Sequence, residues 1–481
     1  MVARELNKCH NAPSPQAKLN SMVTLTLHND LPTLDDKLEW AHELDRLCQR
    51  IQGCGTPHVL GIHGDWGSGK TSFMRQLQCR LGGEMPDDGS VADWKKFEHS
   101  EVQKQLQKKI ITIWFDAWRY QNEPVPVVAL LHEMRKQMAL LPTVVGKIGK
   151  TVDITVRYAL NGLADVAKVI GLEGIPSAEK IQRLGENWER EHNAQALTSD
   201  TIRKHLQEAI KCLLPKGESA RVVVFIDDLD RCNPKTAIRL LEGLKIYLSI
   251  PKCVFVLGTN ERMLVDAIRE EISAPAGTSS EELKLRAAHY FEKICTDIYR
   301  LPLPAKTLEL FSGWLPSKVH REALQSALGN KVCLPPNPRR LKALANQWER
   351  FARCTSFPRD TEERKILAVR VLVAAYVHQF HRDLWERWHF DPDFWAEFVA
   401  WCNGERSRNA DGQPADPPKW ATALKLTGRK EQDTWIPDFL NPGDIDIFWM
   451  GALIQEYSHQ LVAKDFTSLL QGRQQNTSTA A

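Results

Sequence analysis

A phosphate-binding pattern stands out near residue 65 of the chain. The stretch fits the phosphate-loop pattern G-x-x-x-x-G-K-[ST] and reads Gly64-Asp65-Trp66-Gly67-Ser68-Gly69-Lys70-Thr71. Glycines let the main chain approach anionic oxygens closely, so that successive N–H groups can cradle them. In such a loop Lys70 reaches the β- and γ-phosphates and Thr71 supplies a hydroxyl ligand for Mg²⁺. We therefore expect residues 64–71, together with Ser72, to bind a nucleoside triphosphate.

Two acidic residues follow an apolar run at residues 221–226. Such a run predicts a buried parallel strand, and open α/β sheets bind their ligands at the carboxyl ends of these strands. This is the Walker B pattern, in which Asp227 holds Mg²⁺ directly or through water. Asp228 is then placed to orient or deprotonate an attacking water. An isolated Asp-Asp pair is more often a solvated turn, but the strand before it favours the functional interpretation.

Three further residues are candidates for the site. Asn260 follows the apolar run 253–259, where it could sense the γ-phosphate or only cap the end of the sheet. Arg231 and Arg339 are candidate catalytic arginines, because a guanidinium can stabilise phosphate charge from the same chain or across an interface. The alternative for Arg339 is an exposed basic start of a helix.

The elements that must position these residues indicate an α/β fold. Apolar or β-branched runs predict strands at 59–63, 110–115, 221–226 and 253–259, with helical periodicity between them. We expect a P-loop core with a mainly parallel sheet, a helical insertion between the two Walker motifs and a helical C-terminal domain. The predicted boundaries are a flexible segment 1–27, an NTPase domain 28–350 with its insertion at about 135–200, a tryptophan-rich helical domain 351–471 and a disordered tail 472–481.

Composition limits the classes of function. The 481 residues carry a formal net charge of only +3, which gives no support to a nucleic-acid partner. The 11 cysteines are scattered and no secretory signal is evident, which favours free thiols in the cytoplasm. No run of about 18 uncharged apolar residues predicts a membrane span. The charged, amphipathic insertion is expected to pack within the protein, with a membrane-surface helix or a partner-binding helix as alternatives.

Several motifs together resemble the KAP family of P-loop NTPases. They are Asn29-Asp30-Leu31-Pro32 with Asp35-Asp36, the phosphate loop, Trp114-Phe115-Asp116-Ala117-Trp118-Arg119-Tyr120, Asp227-Asp228-Leu229-Asp230-Arg231-Cys232, and Asn337-Pro338-Arg339. The resemblance implies an ATPase domain, ATP rather than GTP, and relatives in phage defence and plasmid exclusion. Many family members carry transmembrane helices between the Walker motifs. The charged insertion departs from that pattern and leaves peripheral contact with the inner membrane face open.

We expect Mg²⁺-dependent ATP hydrolysis, with a homo-oligomer or an effector protein as partner. The alternatives are a slow, nucleotide-gated oligomerising scaffold and a nucleic-acid-stimulated NTPase. The tryptophan-rich loop at 114–120 has two interpretations. It could couple the nucleotide state to the insertion that follows it, or it could be an aromatic plug at the end of a strand.

Overall fold

Five short runs of the chain form one parallel sheet in a computed structural model of the protein. The structure describes residues 28–123, 126–140, 210–211, 214–215, 220–247, 250–271, 279–295, 297–329, 334–353, 355–391, 427–431 and 434–438, and residues 207, 217, 394, 397, 398 and 457 singly. The predicted segments 1–27 and 472–481 lie outside the described residues, as does most of the predicted insertion.

The strands of this sheet are β1 (His58–His63), β2 (Ile110–Asp116), β3 (Arg221–Asp227), β4 (Cys253–Thr259) and β5 (Asp297–Arg300). Their order is β2-β3-β4-β1-β5, and each neighbouring pair is parallel. The register places Asp116 opposite Asp227 and His63 opposite Thr259. All carboxyl ends therefore meet at one edge, where the predicted site residues follow the strands.

Helices cover both faces of the sheet. Alternate residues of β3 face opposite layers: Val222 joins the core with α4 (Pro126–Leu140), α5 (Pro234–Tyr247), α6 (Glu261–Glu271) and α7 (Ser280–Ile294). Val223 joins the core with α1 (Ala41–Gly53) and α2 (Lys70–Arg80). The short α3 (Glu101–Gln107) begins with a capping box formed by Ser100 and Gln103. Because β3 is buried on both sides, its sequence between the charged end residues Arg221 and Asp227 is continuously apolar rather than alternating.

The described chain divides into two compact units. Residues 31–304 and 337–339 form the unit that contains the sheet. Residues 1–30, 305–336 and 340–481 form the other, which is mainly helical. The later helices are α8 (Thr307–Gly313), α9 (Lys318–Leu328), α10 (Pro338–Ala352), α11 (Thr361–Phe380) and α12 (Arg382–Phe390). The domain boundary predicted near residue 350 stays a prediction.

The mainly helical unit has its own core, built around large buried rings such as Trp348, Tyr376 and Trp388. It also contains an antiparallel pair, β6 (Thr427–Glu431) and β7 (Thr434–Asp438), which the sequence did not lead us to expect. Thr434, Trp435 and Ile436 are residue types that favour strands, so the pairing has a local cause. Within the described ranges, no helix combines the length and apolar character needed to cross a membrane.

Candidate functional site

The phosphate-loop sequence forms the turn between β1 and α2. Gly67 and Gly69 have φ angles of 80° and 97°, in the left-handed region that favours glycine. A methyl group on Gly67 would lie 2.6 Å from Cβ of Arg339, and one on Gly69 would lie 2.7 Å from the ring of Trp40. Both positions therefore require glycine for conformation and for space.

The Lys70 side chain lies against its own loop. Lys70 is the first residue of α2 and is 8% exposed. Its Nζ donates to the carbonyl oxygen of Gly64 at 2.7 Å and to that of Asp65 at 3.4 Å. It also lies 3.4 Å from Oδ2 of Asp230, whose side chain is 1% exposed. The lysine is therefore held by two loop carbonyls and a buried counter-charge.

Asp227, the last residue of β3, offers a buried carboxylate beside Thr71. Burial raises the pKa of Asp227, while a hydrogen bond from the Thr71 side chain and the charge of Lys70 oppose that rise. Oδ1 of Asp227 has no hydrogen-bond partner in the described part of the chain. A methyl group on Gly258 would lie 2.7 Å from this oxygen, so the glycine leaves room for it. An unpartnered carboxylate oxygen near a hydroxyl fits a hard cation such as Mg²⁺.

Asp228 adopts a left-handed conformation, with φ 55° and ψ 29°, directly after β3. Its Oδ1 lies 2.9 Å from Nε of Arg231. Burial and the neighbouring charge of Asp227 raise the pKa of Asp228 to about 7, and Arg231 opposes the rise. The carboxylate of Asp228 can therefore exchange a proton near neutral pH.

Three contacts hold the tip of the phosphate loop. The indole Nε1 of Trp66 donates to Oδ2 of Asp230 at 3.0 Å, although the Trp66 residue is 51% exposed. The carbonyl oxygen of Trp66 accepts from Nδ2 of Asn337 at 2.7 Å, and that of Gly67 accepts from the backbone N–H of Arg339 at 3.2 Å. Arg339, the second residue of α10, therefore contacts the loop although it lies 272 positions (339 − 67) after Gly67 in the sequence.

Asn260 contacts the phosphate loop and caps a helix, while its role as a γ-phosphate sensor stays a prediction. Its Nδ2 donates to Oδ1 of Asp65 at 3.3 Å, so its amide contacts the phosphate loop. Its Oδ1 accepts from the backbone N–H groups of Arg262 and Met263 at 3.1 and 3.4 Å and so caps α6. One side chain thus links the start of α6 to the loop.

Ser68 of the motif and Ser72 directly after it differ in their surroundings. Ser68 is 8% exposed, and its hydroxyl has no hydrogen-bond partner among the described residues. A methyl group on Gly64 would lie 2.5 Å from this hydroxyl. The Ser72 hydroxyl already accepts from the backbone N–H of Thr33 at 3.1 Å. An orphaned hydroxyl inside the loop is a further group that a phosphate oxygen could satisfy.

The tryptophan-rich loop combines packed and exposed rings. Trp114 stacks on Phe225 with a centroid distance of 5.7 Å, and Tyr120 stacks on Phe115 at 5.0 Å. Trp118 is 46% exposed. Trp114 and Tyr120 are therefore packed against the ends of strands, whereas Trp118 faces solvent, and both interpretations of the loop stay predictions.

Four residues of this region had no role assigned from the sequence. Asp230 and Asn337 stand inside motifs that the sequence showed, so the motifs were the available signal. Arg75 lies with its guanidinium carbon 3.4 Å from the Trp114 ring centroid. Gln137 of α4 donates to the carbonyl oxygen of Trp114 at 2.6 Å and accepts from its N–H at 2.9 Å. Neither Arg75 nor Gln137 belongs to a recognisable motif.

The fold and the loop geometry agree with the comparison with known families. A family model described as the KAP family P-loop domain matches residues 41–355, about two thirds of the chain. A search of curated proteins gave no significant match. The family indicates nucleotide binding and nucleoside triphosphate hydrolysis. With a parallel sheet, flanking helices and a glycine loop between β1 and α2, this chain belongs to the KAP family of P-loop NTPases.

Proposed function

We propose that the chain binds ATP with Mg²⁺ and hydrolyses it. The proposal is supported by the meeting of Lys70, Thr71 and Asp227 at the carboxyl edge of the sheet, where Oδ1 of Asp227 has no donor among the described residues. A buried carboxylate needs a compensating partner, and a divalent cation supplies one. ATP rather than GTP rests on the family relationship.

The residues of the site fall into a group that would hold the metal and a group that would bind the phosphates. Thr71 and Asp227 would hold Mg²⁺, which neutralises phosphate charge when bound. The loop amides and Lys70 would bind the β- and γ-phosphates, since α2 begins at Lys70 and helix N-termini attract anions. Ser68 supplies a hydroxyl without a partner among the described residues, and Asn260 supplies an amide next to Asp65.

Asp228 is our candidate for the residue that orients or deprotonates the attacking water. Its pKa of about 7 suits proton exchange at neutral pH, and its 2.9 Å contact with Arg231 favours the ionised form. Arg231 would then act through Asp228. The backbone N–H of Arg339 donates to the carbonyl oxygen of Gly67, which places this residue next to the loop, and we assign its guanidinium to the phosphates.

Three variants test the assignment. Lys70→Ala should weaken nucleotide binding by at least tenfold, because the loop loses its only cation. Asp228→Asn should keep binding within about twofold and lower turnover by 10²-fold or more. Asp45→Asn is the matched control, since Asp45 is 60% exposed and pairs with Arg80 on the surface. Nucleotide titration and phosphate release are measured on each protein, and turnover by Asp228→Asn at the wild-type rate would refute its role.

A second candidate function is a slow, nucleotide-gated scaffold that assembles with further copies or with an effector. Two exposed tryptophans, Trp66 and Trp118, lie on the loops of the site, which favours a protein contact there. We propose a phage-defence or related regulatory assembly as the setting, in line with the family's relatives. Mass measurement with and without a non-hydrolysable ATP analogue distinguishes the candidates, because a scaffold gains mass and hydrolyses little. Addition of DNA or RNA to the same assay tests stimulation by nucleic acid.

A further inference from the structure

Asp230 shares one carboxylate oxygen between two side chains of the phosphate loop. Its Oδ2 accepts from the indole N–H of Trp66 at 3.0 Å and lies 3.4 Å from Nζ of Lys70. The Asp230 side chain is 1% exposed, so water contributes little to satisfying its charge. The turn after β3 is thereby joined to both side chains through a single atom.

This arrangement supplies an acceptor for each N–H donor of the Lys70 ammonium group. An ammonium group has three N–H donors. Among the described residues, three acceptors surround Nζ: the carbonyl oxygens of Gly64 and Asp65 and the carboxylate of Asp230, at 2.7, 3.4 and 3.4 Å. A phosphate oxygen that binds Lys70 must replace one of them. Asp230 is the acceptor that carries a full negative charge, so it is the one that an incoming phosphate repels.

We propose that Asp230 is a positioning residue that competes with nucleotide phosphate for Lys70 and gives Lys70 up when a nucleoside triphosphate binds. The inference rests on the proposed function, since it assumes that Lys70 contacts phosphate. The indole N–H of Trp66 has a defined part in the release. Once Lys70 has turned to the phosphate, this donor still satisfies Oδ2 of Asp230, which would otherwise be a buried charge without a partner.

The two substitutions have effects of opposite sign. Asp230→Asn keeps an oxygen acceptor but removes the charge, so Mg²⁺ and the imido analogue of ATP should bind about tenfold more tightly. Trp66→Phe removes the donor that satisfies the released carboxylate, so binding should weaken about fivefold. In the double variant the Trp66→Phe effect should fall below twofold, because no charge remains to be satisfied. A Trp66 ring that contacted the nucleotide directly would weaken binding equally in both backgrounds.

Titration calorimetry with wild type, the two single variants and the double variant measures this cycle, and Asp45→Asn serves as the surface control. Asp230→Ser is the second substitution if Asp230→Asn fails to fold, and it should also tighten binding. Equal or weaker binding by the folded Asp230 variants, with normal binding by wild type, overturns the positioning role alone. An absence of nucleotide binding by folded wild type overturns the proposed function and this inference with it.

Discussion

Gly258 of β4 is the position where one added methyl group should separate metal binding from the rest of the site. An ideal Cβ at Gly258 would lie 2.5 Å from Sδ of Met74 and 2.7 Å from Oδ1 of Asp227. Ordinary van der Waals contact begins near 3.4 Å, so Asp227 must move by several tenths of an ångström. Met74 is fully buried and has no free space to absorb the whole displacement.

The magnitude follows from the two contacts. Overpacking of a buried site costs about 1–3 kcal/mol, so Gly258→Ala should lower the free energy of unfolding by about 2 kcal/mol. A displaced carboxylate should also raise the Mg²⁺ concentration for half-maximal turnover about tenfold, the usual effect of disturbing the surroundings of a metal ligand. Urea denaturation measures the first quantity, and Mg²⁺ titration of phosphate release at saturating ATP measures the second.

Gly53→Ala is the matched control for this experiment. Gly53 ends α1, and an ideal Cβ there meets nothing within 4 Å. The control should leave the Mg²⁺ dependence within experimental error of wild type and should raise the free energy of unfolding by no more than about 1 kcal/mol, because alanine favours a helix over glycine. A folded Gly258→Ala protein with wild-type Mg²⁺ dependence would refute the placement of Oδ1 of Asp227 in the metal site. An equal shift in Gly53→Ala would show that the effect is not local.

Three further predictions concern the surroundings of the site. Trp118→Ala should change the free energy of unfolding by less than about 0.5 kcal/mol in urea, since Trp118 is 46% exposed. Trp114→Ala should lower it by about 3 kcal/mol, because the Trp114 ring is stacked on Phe225. Equal losses of stability in the two variants would contradict this. Gln137→Leu should cost about 2 kcal/mol in the same assay, because the N–H and carbonyl of Trp114 lose their partner, and an unchanged midpoint would refute the bridge. Burial lowers the pKa of His63 to about 4, so the unfolded state, with a pKa near 6.5, binds the proton more readily. Wild type should therefore lose about 3 kcal/mol as pH falls from 6.5 to 4, and denaturation of His63→Leu over this window should show a smaller loss.

The sequence predicted the strands whose side chains are apolar on both faces. β3 and β4 are each buried over all seven residues, and short apolar runs of this kind are typical of a buried strand. β5 was missed because it has only four residues and carries Asp297 and Arg300 at its ends. β5 is a strand because it pairs with β1, and this long-range pairing has no signature in the sequence of β5 itself.

The same distinction applies to the site. The phosphate loop and the pair Asp227-Asp228 are local patterns, and the structure brings them to one edge of the sheet. The contact between Trp66 and Asp230 joins residues 164 positions apart, and that between Trp66 and Asn337 joins residues 271 apart. A single sequence shows that each motif exists, but the pairing of side chains between motifs depends on strand order and register. The roles assigned to individual site residues stay predictions.

The register of β2 and β3 also fixes where the tryptophan-rich loop begins. Asp116 pairs with Asp227, and the N–H of Ala117 donates to the carbonyl oxygen of Asp227 at 3.0 Å, so the loop starts beside the Walker B acids. The guanidinium of Arg231 links the Walker B acids to the loop, because it contacts Asp228 at 2.9 Å and lies 5.6 Å from the Trp118 ring centroid. A change in the charge of Asp228 should change its attraction for the guanidinium of Arg231. The Trp118 ring lies near that same guanidinium, so it would be affected as well. An exposed ring close to a residue that pairs with Asp228 is the arrangement that the coupling interpretation requires, and that interpretation stays a prediction.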